Sequence, residues 1–180
     1  ATSGTNVYVG TNDGFFLSAN AGANWTDASS GLTNRAIRCL AVSGTSIYAG
    51  VDSNGVFLST DGGTTWSDAS RGRHILSVRS LAVSGQTIYA GTYGSGVLLS
   101  TNGGTDWFIS RSGFSSFIVN GVVVNGSSVI IGTYSGGGIY VSSDNGQSWT
   151  VKNTGMVNTY INSLLASGTD LFAGTWIDVY

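Results

Sequence analysis

Glutamate is missing from this 180-residue chain, and Lys152 is its sole lysine. Helix surfaces are usually built from Glu, Lys, Gln and Arg, so this scarcity argues against helix. Only 9% of residues are charged and the net charge is -2, which leaves no field that would draw nucleic acid or an anionic membrane. No run approaches the roughly 18 apolar residues that a membrane helix needs. Cys39 stands alone, so no intrachain disulfide forms and cysteine usage does not fix a redox compartment. It sits in the apolar run 37–42, where a buried small hydrophobe is the reading preferred to a reactive thiol. His74 is the sole histidine, which excludes a His-based metal cluster and leaves a catalytic triad hanging on one residue.

Polarity comes instead from Ser, Thr, Asn and 28 glycines, while Val, Ile, Thr and aromatics favour strands. One eight-residue phrase recurs four times: SANAGANW from Ser18, STDGGTTW from Ser59, STNGGTDW from Ser100 and SSDNGQSW from Ser142. Its tryptophans, Trp25, Trp66, Trp107 and Trp149, lie 41, 41 and 42 residues apart. A fixed period of this length marks a propeller or another repeat array.

The segments keep one order in every copy. An apolar run comes first (37–42, 78–83, 119–124, 161–166), then a Gly turn and a second run (47–50, 88–91, 129–132, 171–174, with 7–10 at the start). A third run follows (15–17, 56–58, 97–99, 139–141), and the Trp of the octad opens a fourth strand. Each repeat reads as four short antiparallel strands joined by tight turns. Such a sheet has two apolar faces, and radial stacking of blades buries both.

The expected fold is therefore all-β: a β-propeller of four-stranded antiparallel blades with a repeat of about 41 residues, of which about four and a third are present. It forms a single domain over 1–180, divided into a partial blade 1–34, blades 35–76, 77–116 and 117–160, and a partial blade 161–180. The first partial blade carries strands two to four, and the last stops inside a third strand. The expectation is a piece of a longer propeller of about six to eight blades, with a five-bladed ring or completion by another copy as alternatives. Unpaired blade edges and apolar blade faces would then seek partners.

The octad resembles the Asp-box, or bacterial neuraminidase, repeat, whose pattern is Ser-x-Asp-x-Gly-x-Thr-Trp between the third and fourth strands of a blade. The phrase Ile47-Tyr48-Ala49-Gly50 followed by the octad at Ser59 is also similar to blades of sortilin-type receptors, photosystem II assembly factors and xyloglucan-cleaving glycosidases. The resemblance spans essentially the whole chain and implies blade architecture; the repeat occurs in enzymes and non-enzymes alike. By that resemblance a sialidase needs three arginines, an Asp and a Tyr activated by Glu. With no Glu here, none of its catalytic residues carries over. A paired-Asp glycosidase remains open, since two carboxylates suffice.

The octad itself has a scaffold explanation. A turn carboxylate accepts bonds from nearby backbone N–H groups, Gly at the fifth position permits positive φ, and Trp covers the turn. That assigns a structural role to Ser18, Asn20, Gly22 and Trp25; Ser59, Asp61, Gly63 and Trp66; Ser100, Asn102, Gly104 and Trp107; and Ser142, Asp144, Gly146 and Trp149. Exchange of Asp for Asn at 20 and 102 weighs against a Ca²⁺ site, which gathers charged oxygens. Asp27 and Asp68, two residues after their Trp, suggest a further repeated structural role.

Function is expected on the opposite face, where the second-to-third turns and the inter-blade links emerge. Tyr93, Tyr134 and Trp176 occupy equivalent hairpin positions, and the links carry Arg71, Arg73, His74, Arg111, Phe114, Phe117 and Tyr160. Aromatics beside Arg suit sugar stacking or a protein anchor. Tyr93, Tyr134, Trp176, Arg71, Arg73 and Arg111 are the ligand-binding candidates. Arg38, Arg79, Asn120 and Asn162, equivalent at the start of the innermost strand, are expected to line the axis. The reading is a non-catalytic extracellular module, bacterial by composition, that binds protein or glycan or assembles through its blade edges, without metal or cofactor. The alternative is a fragment of a propeller glycoside hydrolase.

Overall fold

The computed structural model describes residues 1–70, 77–114 and 116–176. Strands alternate with tight turns throughout, and no helix among the described residues is long and apolar enough to cross a membrane. The first sheet contains β1 (Thr2–Ser3), β2 (Asn6–Thr11), β3 (Gly14–Ser18) and β4 (Thr26–Asp27). The second contains β5 (Ile37–Ser43), β6 (Ser46–Val51), β7 (Gly55–Ser59) and β8 (Ser67–Asp68). The third contains β9 (Ser77–Ser84), β10 (Thr87–Tyr93), β11 (Val97–Ser100) and β12 (Phe108–Ser110), and the fourth β13 (Val119–Asn125), β14 (Ser128–Thr133), β15 (Gly138–Ser142) and β16 (Thr150–Val151). The fifth has two described strands, β17 (Ile161–Ser167) and β18 (Asp170–Thr175). Each sheet is an antiparallel meander in chain order, which makes the fold a β-propeller; the first blade, expected to carry strands two to four, also has a short first strand, Thr2–Ser3, paired with β2. The third strand expected near Tyr180 lies outside the described residues.

Hydrophobic clusters form between successive blades rather than inside one. Tyr8 and Phe15 of the first blade pack with Ile37, Ile47, Phe57 and Trp66 of the second. Tyr48, Val56 and Ala69 meet Val78, Ile88, Leu98 and Trp107 in the same way, and Tyr89, Val97 and Leu99 meet Val119, Val129, Ile131 and Trp149. Both faces of a middle blade are thus buried, which is why its strands read as apolar runs.

The glycine near the end of the second strand in the first four blades has a packing cause. A Cβ on Gly50 would stand 2.7 Å from Val78 Cγ1, and one on Gly91 would stand 2.7 Å from the Val119 carbonyl oxygen. The innermost strand of the next blade lies directly on these positions, so only a hydrogen fits.

Candidate functional site

Asp61 Oδ1 accepts from Thr65 N (2.9 Å) and Ser59 Oγ (2.8 Å), while Oδ2 accepts from Thr65 Oγ (2.6 Å). These bonds, the Thr65 hydroxyl first, hold the Asp61 carboxyl down at about 2. Asp144 is held low in the same way by the Ser148 hydroxyl and N–H and by Ser142. Asn20 and Asn102 accept the equivalent N–H bonds from Asn24 (2.9 Å) and Asp106 (2.8 Å). The octad serine accepts from the octad glycine in every copy, Gly22, Gly63, Gly104 and Gly146 donating to Ser18, Ser59, Ser100 and Ser142 at 2.8–2.9 Å. Those glycines have φ of 94°, 93°, 93° and 84°.

The octad tryptophan serves the preceding blade. Trp66 Nε1 donates to Ala28 O (2.9 Å), Trp107 Nε1 to Ala69 O (2.7 Å) and Trp149 Nε1 to Ser110 Oγ (2.8 Å). Those three are 4–5% exposed, whereas Trp25 is 45% exposed. Asp27 and Asp68 each accept bonds from the N–H and hydroxyl two residues on, at Ser29 and Ser70. The Cys39 thiol is partly buried and pushed up to about 12 by desolvation, so it is not poised as a nucleophile.

The opposite face is built differently. Each innermost strand shifts register beside its polar residue: Ile37 pairs with Val51 and Cys39 with Gly50, leaving Arg38 as the extra residue of a β-bulge. Arg79, Asn120 and Asn162 are bulged alike. A bulge re-aims a side chain that a regular strand would direct into a blade interface.

Each bulge residue has a counterpart at the end of the second strand or just past it. Arg38 meets Asp52, with Nε at 3.1 Å and Nη2 at 2.5 Å from Oδ2, and reaches Asn12 Oδ1 at 3.3 Å. Ser77 Oγ donates to Asp52 Oδ1 at 2.5 Å, and this bond, then Arg38, keeps the Asp52 carboxyl below its ordinary range. Arg79 lies over the Tyr93 ring, with Cζ 5.0 Å from the centroid. Asn120 Nδ2 donates to Ile161 O at 3.3 Å.

Two clefts meet at Tyr134. One, of about 390 Å³, is lined by Arg79, Tyr93, Ile118, Asn120, Tyr134 and Asn162. The other, of about 530 Å³, is lined by Tyr134, Val157, Asn158, Thr159, Tyr160 and Trp176. Tyr134 and Tyr160 meet edge to face at 5.9 Å and 84°. Backbone bonds fix the hairpin residues: Tyr134 N donates to Ile118 O and Trp176 N to Tyr160 O, both at 3.1 Å. Tyr93 and Trp176 are each 54% exposed, Tyr160 49% and Tyr134 37%.

The structure thus brings Tyr93, Tyr134 and Trp176 to one continuous pair of clefts. It places Arg111 elsewhere, over Phe117 at 5.4 Å and beside Phe108, Asn145 and Gln147. Arg71, Arg73 and His74 lie outside the described residues. Arg79, Asn120, Asn162 and Tyr160 belong to the clefts although they are not among the ligand-binding candidates; the first three share a phase of the repeat, which is the signal, and Tyr160 stands on an inter-blade link. Asn158 and Thr159 carried no signal of that kind.

Residues 57–68 match the BNR/Asp-box repeat. They are an Asp-box repeat of a β-propeller. No curated protein sequence matches the chain. Among solved structures, an ancestral GH74 enzyme is 25% identical with a TM-score of 0.71, over 82% of this chain and 22% of that one. The GH74 enzyme of Niastella koreensis is 26% identical with a TM-score of 0.64, over 89% of this chain and 24% of that one. The extracellular domain of a B. thetaiotaomicron one-component system is 17% identical with a TM-score of 0.75, over 96% and 25% respectively. The chain therefore spans a quarter or less of the length of each of these proteins.

Proposed function

We propose that this chain belongs to a non-catalytic, extracellular propeller module that binds a glycan chain along the clefts between Tyr93 and Trp176. The observation that carries the reading is the continuous run of half-exposed rings across three blades, interleaved with amides. Aromatic faces take the apolar faces of sugar rings, and Asn and Thr groups take hydroxyls. The likeness to two GH74 enzymes favours a glycan over a protein partner. The extracellular neighbour supports the location. The Asp52 carboxylate is held charged by Ser77 and Arg38, the opposite of what a general acid requires.

Isothermal titration of the chain with neutral oligosaccharides tests this. Tyr134→Ala and Trp176→Ala should each weaken binding roughly tenfold, as lost stacking of this kind does. Unchanged affinity in both variants would remove the clefts as the binding site. The GH74 likeness also favours a second reading, a glycoside hydrolase whose acid and base lie outside these residues. Release of reducing ends from a polysaccharide panel by the full-length protein would replace the first reading with the second.

A further inference from the structure

Arg38 and Arg79 are equivalent bulge residues with different fates. In the second blade, Asp52 neutralises Arg38 through two bonds. In the third blade the counterpart position holds Tyr93. Among the described residues, the ion pairs are Arg35–Asp27 and Arg38–Asp52, and neither includes Arg79. Asp52 lies close enough to feel Arg79, but its oxygens are already taken by Arg38 and Ser77. Arg79 rests over the Tyr93 ring and lines the 390 Å³ cleft together with Asn120 and Asn162. A guanidinium held over a ring in this way can still present its N–H groups to a planar, two-oxygen acceptor.

We propose that this cleft takes a carboxylated sugar, a hexuronate unit of a glycan, with Arg79 as the anion anchor. The inference rests on the glycan reading above and names its chemical class. Asn120 and Asn162 offer neutral bonds to ring hydroxyls, and Tyr134 offers a stacking face one unit along. Among the described residues one guanidinium lines the cleft, which matches one carboxylate per site. The net charge of -2 disfavours a densely sulfated chain, which needs several cations.

The test is isothermal titration of the whole chain with an oligogalacturonate and a neutral galacto-oligosaccharide of equal length. The readout is the ratio of the two affinities. The native chain should favour the oligogalacturonate by about tenfold, the range of a charge-assisted bidentate contact, and less so as salt rises. Arg79→Gln should bring the ratio to about one. Tyr93→Asp should do the same with Arg79 intact, by rebuilding the arrangement of Arg38 and Asp52, whereas Tyr93→Asn should keep the preference. A ratio near one in the native chain, or a preference that survives Arg79→Gln, overturns the proposal. So does tighter binding of a sulfated oligosaccharide, or of a peptide through its C-terminal carboxylate. Neutral binding that is lost in Tyr134→Ala without any acidic preference overturns this inference alone. Absence of all glycan binding overturns it together with the glycan reading.

Discussion

Asn102 Nδ2 donates to Asp106 Oδ2 at 2.9 Å, reversing the bond in which Thr65 Oγ donates to Asp61 Oδ2 at 2.6 Å. The two positions, four residues apart, change together: Asp61 with Thr65, Asn102 with Asp106, Asp144 with Ser148. These three turns keep one donor and one acceptor across the pair, so Asn102 replaces Asp where its partner inverts; in the first copy Asn20 instead accepts from the backbone N–H of Asn24.

That complementarity can be broken and restored. Thr65→Asp sets a second carboxylate against Asp61 and should lower the thermal midpoint. Adding Asp61→Asn recreates the pairing of Asn102 and Asp106 and should recover most of the loss. Thermal melts of the single and double variants check this; additive effects would contradict it.

Acid should unfold the protein through these turns. The Asp61 carboxyl sits at about 2 in the folded state against an ordinary 3.8, so folding favours its charged form. Its contribution is complete above about pH 4 and is lost as pH falls through about 2. Asp144, Asp27 and Asp52 are shifted in the same direction. Stability should be flat near neutrality and decline below about pH 4, as read by denaturant melts across pH. Asp61→Asn should flatten that decline.

The tryptophans should divide by position. Trp107→Ala removes a buried ring and its bond to Ala69 O, and should cost about 3–5 kcal/mol. Trp25→Ala removes a ring that is 45% exposed and should cost about 1 kcal/mol or less. Urea melts of the two variants separate them.

Gly91→Ala drives a methyl against the Val119 carbonyl, which belongs to the backbone and cannot rotate away. The expected loss is about 1–3 kcal/mol, the usual cost of overpacking. A variant as stable as the native chain would show that the third and fourth blades can shift apart.

The fold was legible because the repeat fixes phase. Strands expected at 37–42 and 119–124 occur as Ile37–Ser43 and Val119–Asn125. Each innermost strand follows the same offset from its Trp, so one correct blade corrects the others. The reason for each Trp was not legible, because its partner lies in the blade before, as Ala28 does for Trp66. The role of Gly50 was hidden likewise by contact with Val78. At the candidate site, phase aligned Tyr93, Tyr134 and Trp176, yet it also aligned Arg38 with Arg79. Only the coordinates distinguish a guanidinium paired with Asp52 from one lying over Tyr93. Arg111, chosen for its place on an inter-blade link, lies over Phe117 and does not line these two clefts.

The indole bonds between blades span 38, 38 and 39 residues. The entropy lost on closing a loop grows with its length, and folding slows as contacts become more distant along the chain. Between successive blades a longer array needs more closures of the same reach, and only the contact that closes a ring reaches further. Each new blade can zip onto the one before it, so up to that last contact the conformational search is set by the period and not by the size of the array.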